Sequence, residues 1–225
     1  MTKYVKELSF SKKIFKYICL DKLLLKHSEN IMHTPSIQPH SEQEPFGFYS
    51  SDPRSINIFL DNYIFDMSHI LEPSAGSGTL TKELLSRDPN AHIDQIEIQP
   101  HLIPELERLN CGDVYCQDFL NYKPSLDSRP FTAIIMNPDY KHGLVQLEHA
   151  LKIANGMYPV IAHINLSFFE SKLRYQFHQD NPVSKLFILH RRPHFKKGTF
   201  RSPSPFPSCF AVWNDDTQGQ TIQVI

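Results

Sequence analysis

The sequence predicts an α/β domain built on a mostly parallel sheet, with an antiparallel hairpin at one edge. From Phe46 onward, short apolar stretches alternate with segments of helical periodicity, which is the order of strand–helix–strand units in a parallel sheet. The last two apolar stretches, Lys185–Arg191 and Cys209–Asn214, have no helical segment between them. Because a parallel pair needs a long crossover, we expect these two strands to be antiparallel.

The first strand–helix unit is the clearest. An apolar stretch at His69–Leu71 runs through a turn with two glycines into a helical segment from Thr79 to about Arg87. A candidate helix at Pro53–Tyr63 precedes this unit. The other elements follow in order: strand His92–Ile98, helix Leu102–Leu109, short strand Asp113–Cys116, strand Phe131–Met136, helix Leu144–Ala154, strand Tyr158–Asn165 and a helix at Leu166–Phe177.

Length and charge restrict the function classes. A chain of 225 residues is long enough for one sizeable α/β domain with a modest appendage. Its formal net charge of -1 means that the surface as a whole is not strongly basic. We therefore expect nucleic acid to be contacted through local basic patches, without extensive wrapping of a duplex. No stretch approaches the roughly 20 apolar residues of a membrane span, and we expect no membrane partner.

Several features indicate a cytoplasmic protein. The apolar run from Ile14 to Leu25 is interrupted by Lys16, Asp21 and Lys22, and it lacks a small-residue cleavage site of the secretory type. The four cysteines show no paired metal spacing, which favours reduced thiols. The twelve histidines are scattered along the chain, so we expect no metal site.

Residues 1–45 differ from the domain that we expect at residues 46–225. Seven lysines and two acidic residues lie between Met1 and Lys26. The segment Glu29–Glu44 is rich in His, Ser, Gln and Pro, which is typical of a linker. We therefore expect a basic, poorly ordered extension and linker. Two alternatives are a basic helix that touches nucleic acid or another protein, and translated upstream sequence with Met32 as the true start.

Three residues strengthen the weak signal of the turn Gly76-Ser77-Gly78, which by itself is compatible with a purely structural role. Glu97, at the end of the next strand, is placed to accept from two ribose hydroxyls. Asp118, after the third strand, is placed to accept from an adenine amine while Phe119 covers a ring face. The chain has no Gly-x-Gly-x-x-Gly and no Lys-Ser/Thr pair, which disfavours dinucleotides and triphosphates. The pattern suits an adenosine with an uncharged or cationic extension.

The order of these motifs resembles the S-adenosylmethionine-dependent methyltransferases that modify the exocyclic amine of adenine in DNA. The resemblance covers roughly Pro45 to Asn214, and it implies a Rossmann-like class I methyltransferase sheet with S-adenosylmethionine as cofactor. It rests on Phe48-Tyr49, Asp52-Pro53, Glu72-Pro73-Ser74-Ala75-Gly76-Ser77-Gly78, Glu97, Asp118 and Asn137-Pro138-Asp139-Tyr140.

The same resemblance implies which residues contact the cofactor. The segment from Tyr49 to Pro53 would border the methionine end, Gly76 and Gly78 would let the backbone approach, and Glu97 would bind the ribose. The full set implied is Tyr49, Pro53, Glu72, Pro73, Ala75, Gly76, Gly78, Glu97, Asp118, Phe119 and Asn137.

The segment Asn137-Pro138-Asp139-Tyr140 is the predicted catalytic tip. An adenine amine is a poor nucleophile because its lone pair is delocalised into the ring. Two acceptors, the Asn137 side-chain carbonyl and the Pro138 main-chain carbonyl, would favour a tetrahedral nitrogen and stabilise the charge that develops on it. Tyr140 would stack on the target ring and align it. Within a duplex, the base would first have to be flipped out.

This tip departs from the family pattern, since Asp139 stands where the family has proline. Proline would preset the backbone φ of the tip, whereas a carboxylate beside the amine alters the charge balance. We interpret the chain as a variant active enzyme; the alternative is a weakened or inactive descendant that still binds the cofactor.

The segment between the last two strands is the expected substrate side. It has five basic residues and two phenylalanines without an acid, a combination that suits phosphates and unstacked bases. A stiff Ser-Pro-rich stretch follows and should project from the sheet. The alternative is a solvated basic loop. The candidate substrate-binding residues are Asp139, Arg191, Arg192, Phe195, Lys196, Lys197 and Phe200.

We therefore expect a methyltransferase acting on N6 of adenine in DNA. The chain leaves little room for a recognition domain, so we expect low sequence specificity or a partner subunit that supplies it. The alternatives are a methyltransferase acting on RNA adenine or on a protein glutamine amide, and a non-catalytic cofactor-binding subunit.

Overall fold

The computed structural model describes residues 51–125, 128–139, 141–197, 200–215 and 219–225. The predictions for residues 1–50, Tyr49 included, and for Tyr140 lie outside these residues. The helices are α1 (Pro53–Asn62), α2 (Thr79–Arg87), α3 (Ile103–Glu107), α4 (Gly143–Ala154) and α5 (Tyr175–Asp180), and the strands are β1 (Ile70–Pro73), β2 (Ile93–Glu97), β3 (Val114–Cys116), β4 (Ala133–Met136), β5 (Val160–Asn165), β6 (Lys185–Ile188), β7 (His194–Lys197), β8 (Phe200–Pro203), β9 (Ser208–Trp213) and β10 (Thr221–Val224).

Eight strands form one sheet in the order β10-β6-β9-β5-β4-β1-β2-β3. Strand β9 runs antiparallel to both β5 and β6, and the other pairings are parallel. The predicted mostly parallel sheet with an antiparallel pair near one edge is therefore confirmed. The sequence analysis missed β10, which pairs with β6 and forms the outermost strand. Within the described residues, no helix has the length and apolar character needed to cross a membrane.

Two predicted elements differ from the structure. The helix expected at Leu166–Phe177 is replaced by two 3₁₀ turns, Leu166–Phe169 and Lys172–Arg174, before α5 begins at Tyr175. The connection between β6 and β9, expected to be an irregular stiff segment, contains the two-stranded hairpin β7–β8. Backbone pairing between Lys197 and Phe200 closes this hairpin, so its polar backbone groups are satisfied without the main sheet.

Helix α1 packs its apolar face against the antiparallel part of the sheet. Phe59 is fully buried, stacks on Phe210 of β9 at 4.3 Å between ring centroids and meets Phe187 of β6 edge-on at 5.3 Å. Large buried aromatic side chains contribute both apolar area and specific ring contacts. This packing fixes the start of α1, and with it Ser51 and Asp52, at the carboxyl ends of the neighbouring strands.

Candidate active site

The candidate site is a cavity of about 300 Å³ at the carboxyl ends of β1, β2 and β4. Strand β1 pairs with β2 on one side and with β4 on the other, so the chain order reverses at this point. In open α/β sheets, ligands bind in the crevice at such a switch point. Its walls come from the glycine turn after β1, the end of β2, the segment after β3 and the tip after β4.

The glycine turn needs left-handed backbone at several positions. The φ angles of Ser74, Gly76 and Gly78 are 59°, 57° and 70°. A Cβ added to Gly78 would lie 2.8 Å from Cδ1 of Leu109, so both sterics and φ select glycine there. The turn is tied to β2 by the Ala75 N–H, which donates to the Ile96 carbonyl at 2.9 Å. The predicted turn therefore forms, with Ala75 and Gly76 in the cavity wall.

Glu97 is a fixed, buried carboxylate in the cavity wall, with 3% of its surface exposed. Oε2 accepts from the Gly76 N–H at 2.7 Å, and Oε1 accepts from the Gln99 N–H at 2.9 Å. Two backbone donors satisfy a buried carboxylate at modest cost and hold it in one orientation. Binding of ribose hydroxyls by this carboxylate stays a prediction.

Glu72, in the same wall, is completely enclosed. The Thr81 hydroxyl donates to its Oε2, and Gln95 Nε2 donates to the Thr81 hydroxyl at 2.7 Å. Burial raises the pKa of Glu72 to about 8, and the negative charge of Glu97 adds to the rise, while the hydrogen bonds oppose it. Burial disfavours the ionised form, so Glu72 is largely neutral at neutral pH in the ligand-free protein.

Replacing Glu72 with glutamine should make the protein more stable at high pH. The folded-state pKa of about 8 lies above the ordinary glutamate value of 4.5, so the folded natural chain loses stability as pH rises from about 4.5 to 8. Glutamine carries no proton to lose, and its carbonyl still accepts from Thr81. We expect the gain in unfolding free energy of Glu72→Gln over the natural chain to grow across that window to about 4 kcal/mol.

Urea unfolding at a series of pH values measures this difference. The matched control is Glu83→Gln, which changes an α2 carboxylate outside the cavity. A difference for Glu72→Gln that does not change with pH would mean that the folded and unfolded pKa values of Glu72 are equal.

Asp118 and Phe119 occupy the third part of the wall. Oδ1 of Asp118 accepts from the Leu120 N–H at 2.9 Å and caps the 3₁₀ turn Phe119–Asn121. Its second oxygen bonds to no described residue, so it can accept from a ligand. The Phe119 ring is 3% exposed and contacts His149 edge-on at 4.8 Å. The structure thus brings Asp118 and Phe119 to the same cavity as Glu97.

The tip Asn137-Pro138-Asp139 follows β4 and closes the cavity opposite the glycine turn. Asn137 Nδ2 donates to the Ser51 hydroxyl at 3.0 Å, which sets the orientation of the amide. The sequence analysis gave Ser51 no role. A serine just before a helix is a common capping pattern, so its contact with residue 137, 86 positions away, left no signal in the sequence.

Asp139 is held by a network in the place where the family has proline. Its N–H donates to Gln146 Oε1 at 3.1 Å, and Gln146 Nε2 donates to the Ser74 hydroxyl at 3.4 Å. Its carboxylate accepts from the Lys141 N–H at 3.0 Å and contacts His142 Nδ1 at 2.5 Å. The Gln146 side chain thereby ties the tip to the glycine turn. Proline at position 139 would have no N–H to donate to Gln146.

If the tip serves methyl transfer, as the resemblance implies, replacing Asp139 with proline should lower the rate modestly. The change removes the N–H that Gln146 accepts and the carboxylate beside His142, although it adds rigidity to φ. Losing one buried hydrogen bond costs about 0.5–1.5 kcal/mol, so we expect roughly a two- to tenfold fall in kcat, measured with saturating methyl donor.

Asp139→Asn is the matched variant, because it keeps the backbone N–H and should retain most of the activity. Activity that appears only in Asp139→Pro would instead identify the natural chain as a non-catalytic descendant.

The remaining predicted residues lie at different distances from the cavity. Pro73 is buried in β1, and Pro53 occupies the first turn of α1, two residues after Ser51 of the cavity wall. Arg191 is exposed, whereas the guanidinium of Arg192 donates to the carbonyls of Ser204 and Pro205. The side chains of four predicted substrate residues lie outside the described part of the chain: Phe195, Lys196, Lys197 and Phe200.

The hairpin β7–β8 starts beside the cavity. The His194 N–H donates to Asp52 Oδ2 at 3.4 Å, and Asp52 follows Ser51 of the cavity wall. This contact connects the first residue of the hairpin to the cavity rim. Substrate binding by the basic residues of this segment remains a prediction.

Comparison with known proteins places the chain among methyltransferase folds. No family model matches the sequence. A tRNA1(Val) (adenine(37)-N6)-methyltransferase of Aliivibrio fischeri (strain MJ11) is 38% identical over 85 residues, which are 34% of this chain and 35% of that protein. The chain thus matches only about a third of the length of this relative.

Solved structures resemble a larger part of the chain. A protein of Pyrococcus horikoshii, named for a proposed RNA methyltransferase activity, superposes with a TM-score of 0.57 at 12% identity, covering 81% of this chain and 98% of its own. The 23S rRNA methyltransferase ErmE superposes with a TM-score of 0.54 at 18% identity, covering 75% of this chain and 70% of its own. A dimethyladenosine transferase from Plasmodium falciparum superposes with a TM-score of 0.50 at 16% identity, covering 72% of this chain and 62% of its own. The chain has the Rossmann-like fold of these methyltransferases.

Proposed function

We propose that the chain is an S-adenosylmethionine-dependent methyltransferase that modifies N6 of adenine in RNA. The observation that carries the proposal is one cavity, walled on one side by the glycine turn and Glu97 and on the other by Asn137 and Pro138. A nucleoside-bearing methyl donor and a flat amine substrate would meet there.

The cavity residues fit this donor. Its volume of about 300 Å³ is at the lower end of the range of about 300–1,000 Å³ for small-molecule sites. Glu97 offers a carboxylate already fixed by two backbone donors, and Asp118 offers a free oxygen next to the Phe119 ring. The donor supplies an electrophilic methyl group when bound, and the chain's part is to hold it and to orient the acceptor.

The tip residues supply the acceptor side of the reaction. The Asn137 amide carbonyl and the Pro138 main-chain carbonyl would accept from the two N–H groups of the adenine amine. Acceptors held in advance by the bond from Asn137 to Ser51 stabilise positive charge on the nitrogen without reorganisation. The proton leaves after the methyl group has transferred, so no base with a shifted pKa is required.

RNA replaces DNA as the favoured substrate. The sequence analysis placed DNA first because of the motif resemblance. The curated relative that is 38% identical over 85 residues is named for adenine in a tRNA, and this supports the RNA alternative. The basic segment between β6 and β9 suits phosphates and an unpaired base. An RNA substrate agrees with the cytoplasmic location expected from the sequence, and a partner subunit stays a prediction.

Methylation of matched oligonucleotides tests the proposal. The full chain is incubated with tritiated S-adenosylmethionine and an RNA hairpin that has one unpaired adenine, the same sequence as DNA, or the RNA with purine riboside, which lacks the 6-amine. We expect label in the adenine RNA only, recovered as N6-methyladenosine after digestion to nucleosides.

Each other outcome contradicts a different part of the proposal. Labelling of DNA alone would restore the original DNA interpretation. Equal labelling of the purine-riboside RNA would exclude N6 as the target. Binding of the methyl donor without transfer to any acceptor, protein glutamine included, would favour the non-catalytic alternative.

A further inference from the structure

A second group of polar side chains lies at the opposite ends of β1 and β2. His69 immediately precedes β1, His92 immediately precedes β2, and the two strands pair in parallel with Ile70 opposite Ile93. The two histidines are therefore neighbours across the sheet, and Asp94, two residues after His92, projects from the same face. No metal site was expected from the scattered histidines. The group was missed because residues that meet across two strands show no recognisable metal-ligand spacing in the sequence.

The donor atoms of these residues converge. His69 Nε2 lies 3.2 Å from Asp94 Oδ2, and His92 Nε2 lies 3.2 Å from Asp94 Oδ1. One ligand atom from each of the three residues falls within 4.8 Å of the others. Ligands of a tetrahedral ion at about 2.0–2.2 Å lie a little over 3 Å apart, so only a small rotation of the half-exposed His92 ring is needed to gather all three.

The hydrogen bonds of His69 leave a position for a cation. Its Nδ1 lies 3.1 Å from the carbonyl of Pro130, which can only accept, so Nδ1 carries the hydrogen. Nε2 then points at the Asp94 carboxylate with its lone pair available to a cation. His69 and Asp94 are 4% and 5% exposed, so an ion held by them would be shielded from water.

The arrangement around His69 and Asp94 matches that of metal ligands. A histidine that donates one ring N–H to a backbone carbonyl while its other nitrogen points at the ion is the usual arrangement of metal-binding histidines. The Asp113 N–H donates to Asp94 Oδ1 at 3.0 Å and orients the carboxylate. A cavity of about 320 Å³ borders the group, which leaves a fourth coordination position open to water.

We propose that His69, His92 and Asp94 form a binding site for a divalent transition-metal ion, such as Zn²⁺. Two imidazoles and one carboxylate are a common ligand set for such ions. The site lies a strand's length away from the candidate active site, and it joins β1, β2 and the Pro130 segment. The bound ion would stabilise the sheet and would not take part in methyl transfer.

Metal titration of the full chain, stripped beforehand with a chelator, tests the site. The probe is Zn²⁺ alone, followed by calorimetry and thermal melting, with Co²⁺ as the spectroscopic replacement. We expect one tight equivalent, a rise in Tm on adding Zn²⁺, and the visible absorption of tetrahedral Co²⁺. Losing a hydrogen-bond partner of a ligating histidine costs roughly 10–100-fold in affinity, so losing a ligand in His92→Gln should cost more than about 100-fold.

His92→Gln is chosen because His92 is half-exposed and the variant should fold. His101→Gln is the matched control, since His101 is an exposed histidine that lies outside the group, and it should bind Zn²⁺ as the natural chain does. The proposal is overturned if the natural chain binds no Zn²⁺ tightly. It is equally overturned if His92→Gln binds and melts like the natural chain, because the ion would then be held by other histidines.

Discussion

Replacing Asn137 with alanine should almost abolish methyl transfer while lowering the affinity for the methyl donor far less. The amide carbonyl is one of the two groups proposed to accept from the adenine amine, and the bond from the Asn137 amide to Ser51 at 3.0 Å holds it in position. Removing one fixed group of this kind from a transition-state site costs about 10²–10³-fold in kcat. Single-turnover transfer to RNA and calorimetry with the donor measure the two effects separately.

Two further variants sharpen this test. Asn137→Asp keeps an acceptor and should recover part of the activity, whereas Asn90→Ala, an exposed asparagine outside the cavity, should have no effect. If Asn137→Ala and Asn137→Asp lowered the rate of methyl transfer equally and both abolished donor binding, Asn137 would hold the donor and not the acceptor amine. Full activity of Asn137→Ala would remove the tip from the mechanism.

Replacing Glu97 with alanine should weaken binding of S-adenosylmethionine by roughly 10–100-fold. The substitution removes the acceptor for the ribose and leaves the N–H groups of Gly76 and Gln99 without their partner. Ribose hydroxyls left without their acceptor cost about 1–3 kcal/mol, a range that includes this loss of affinity, whereas the two unpaired N–H groups lower the stability of the fold. Calorimetric titration of donor into both proteins measures it directly.

Glu107→Ala is the matched control for Glu97, because it removes an exposed carboxylate from the short helix after β2. Its donor affinity should equal that of the natural chain. Thermal melting of Glu97→Ala in the absence of donor separates lost binding from lost folding. An unchanged dissociation constant for a folded Glu97→Ala would exclude this cavity as the donor site.

The fold was predictable because its signals are local. Apolar strands, the two-glycine turn and helical periodicity each occur within a few residues, and they predicted the mostly parallel sheet that the structure confirms. The helix predicted at Leu166–Phe177 was wrong, although the residues of this segment favour a helix. It breaks into 3₁₀ turns because Ser171 caps a new turn through the Leu173 N–H at 3.2 Å.

The candidate site was likewise predictable only where its signals are local. Glu97, Asp118 and Asn137 follow strands at recognisable positions, and the carboxyl ends of parallel strands meet at one edge of a sheet. Gln146 and Ser51 were missed, since their contacts with Asp139 and Asn137 depend on how α4 and α1 pack. The resemblance could not show that Gln146 supports the tip in the place where the family has proline.

The amino-acid sequence by itself determined the order of most strands and helices, the turn that requires glycine and the residue types at the strand ends that form the site. Only the tertiary structure decided which of these ends share a cavity, how the tip is held, and that His69, His92 and Asp94 converge. The physical reason is the distance along the chain over which each effect acts. Backbone preference and periodicity act over a few residues, whereas a site is made by side chains that burial and sheet register bring together from distant parts of the chain.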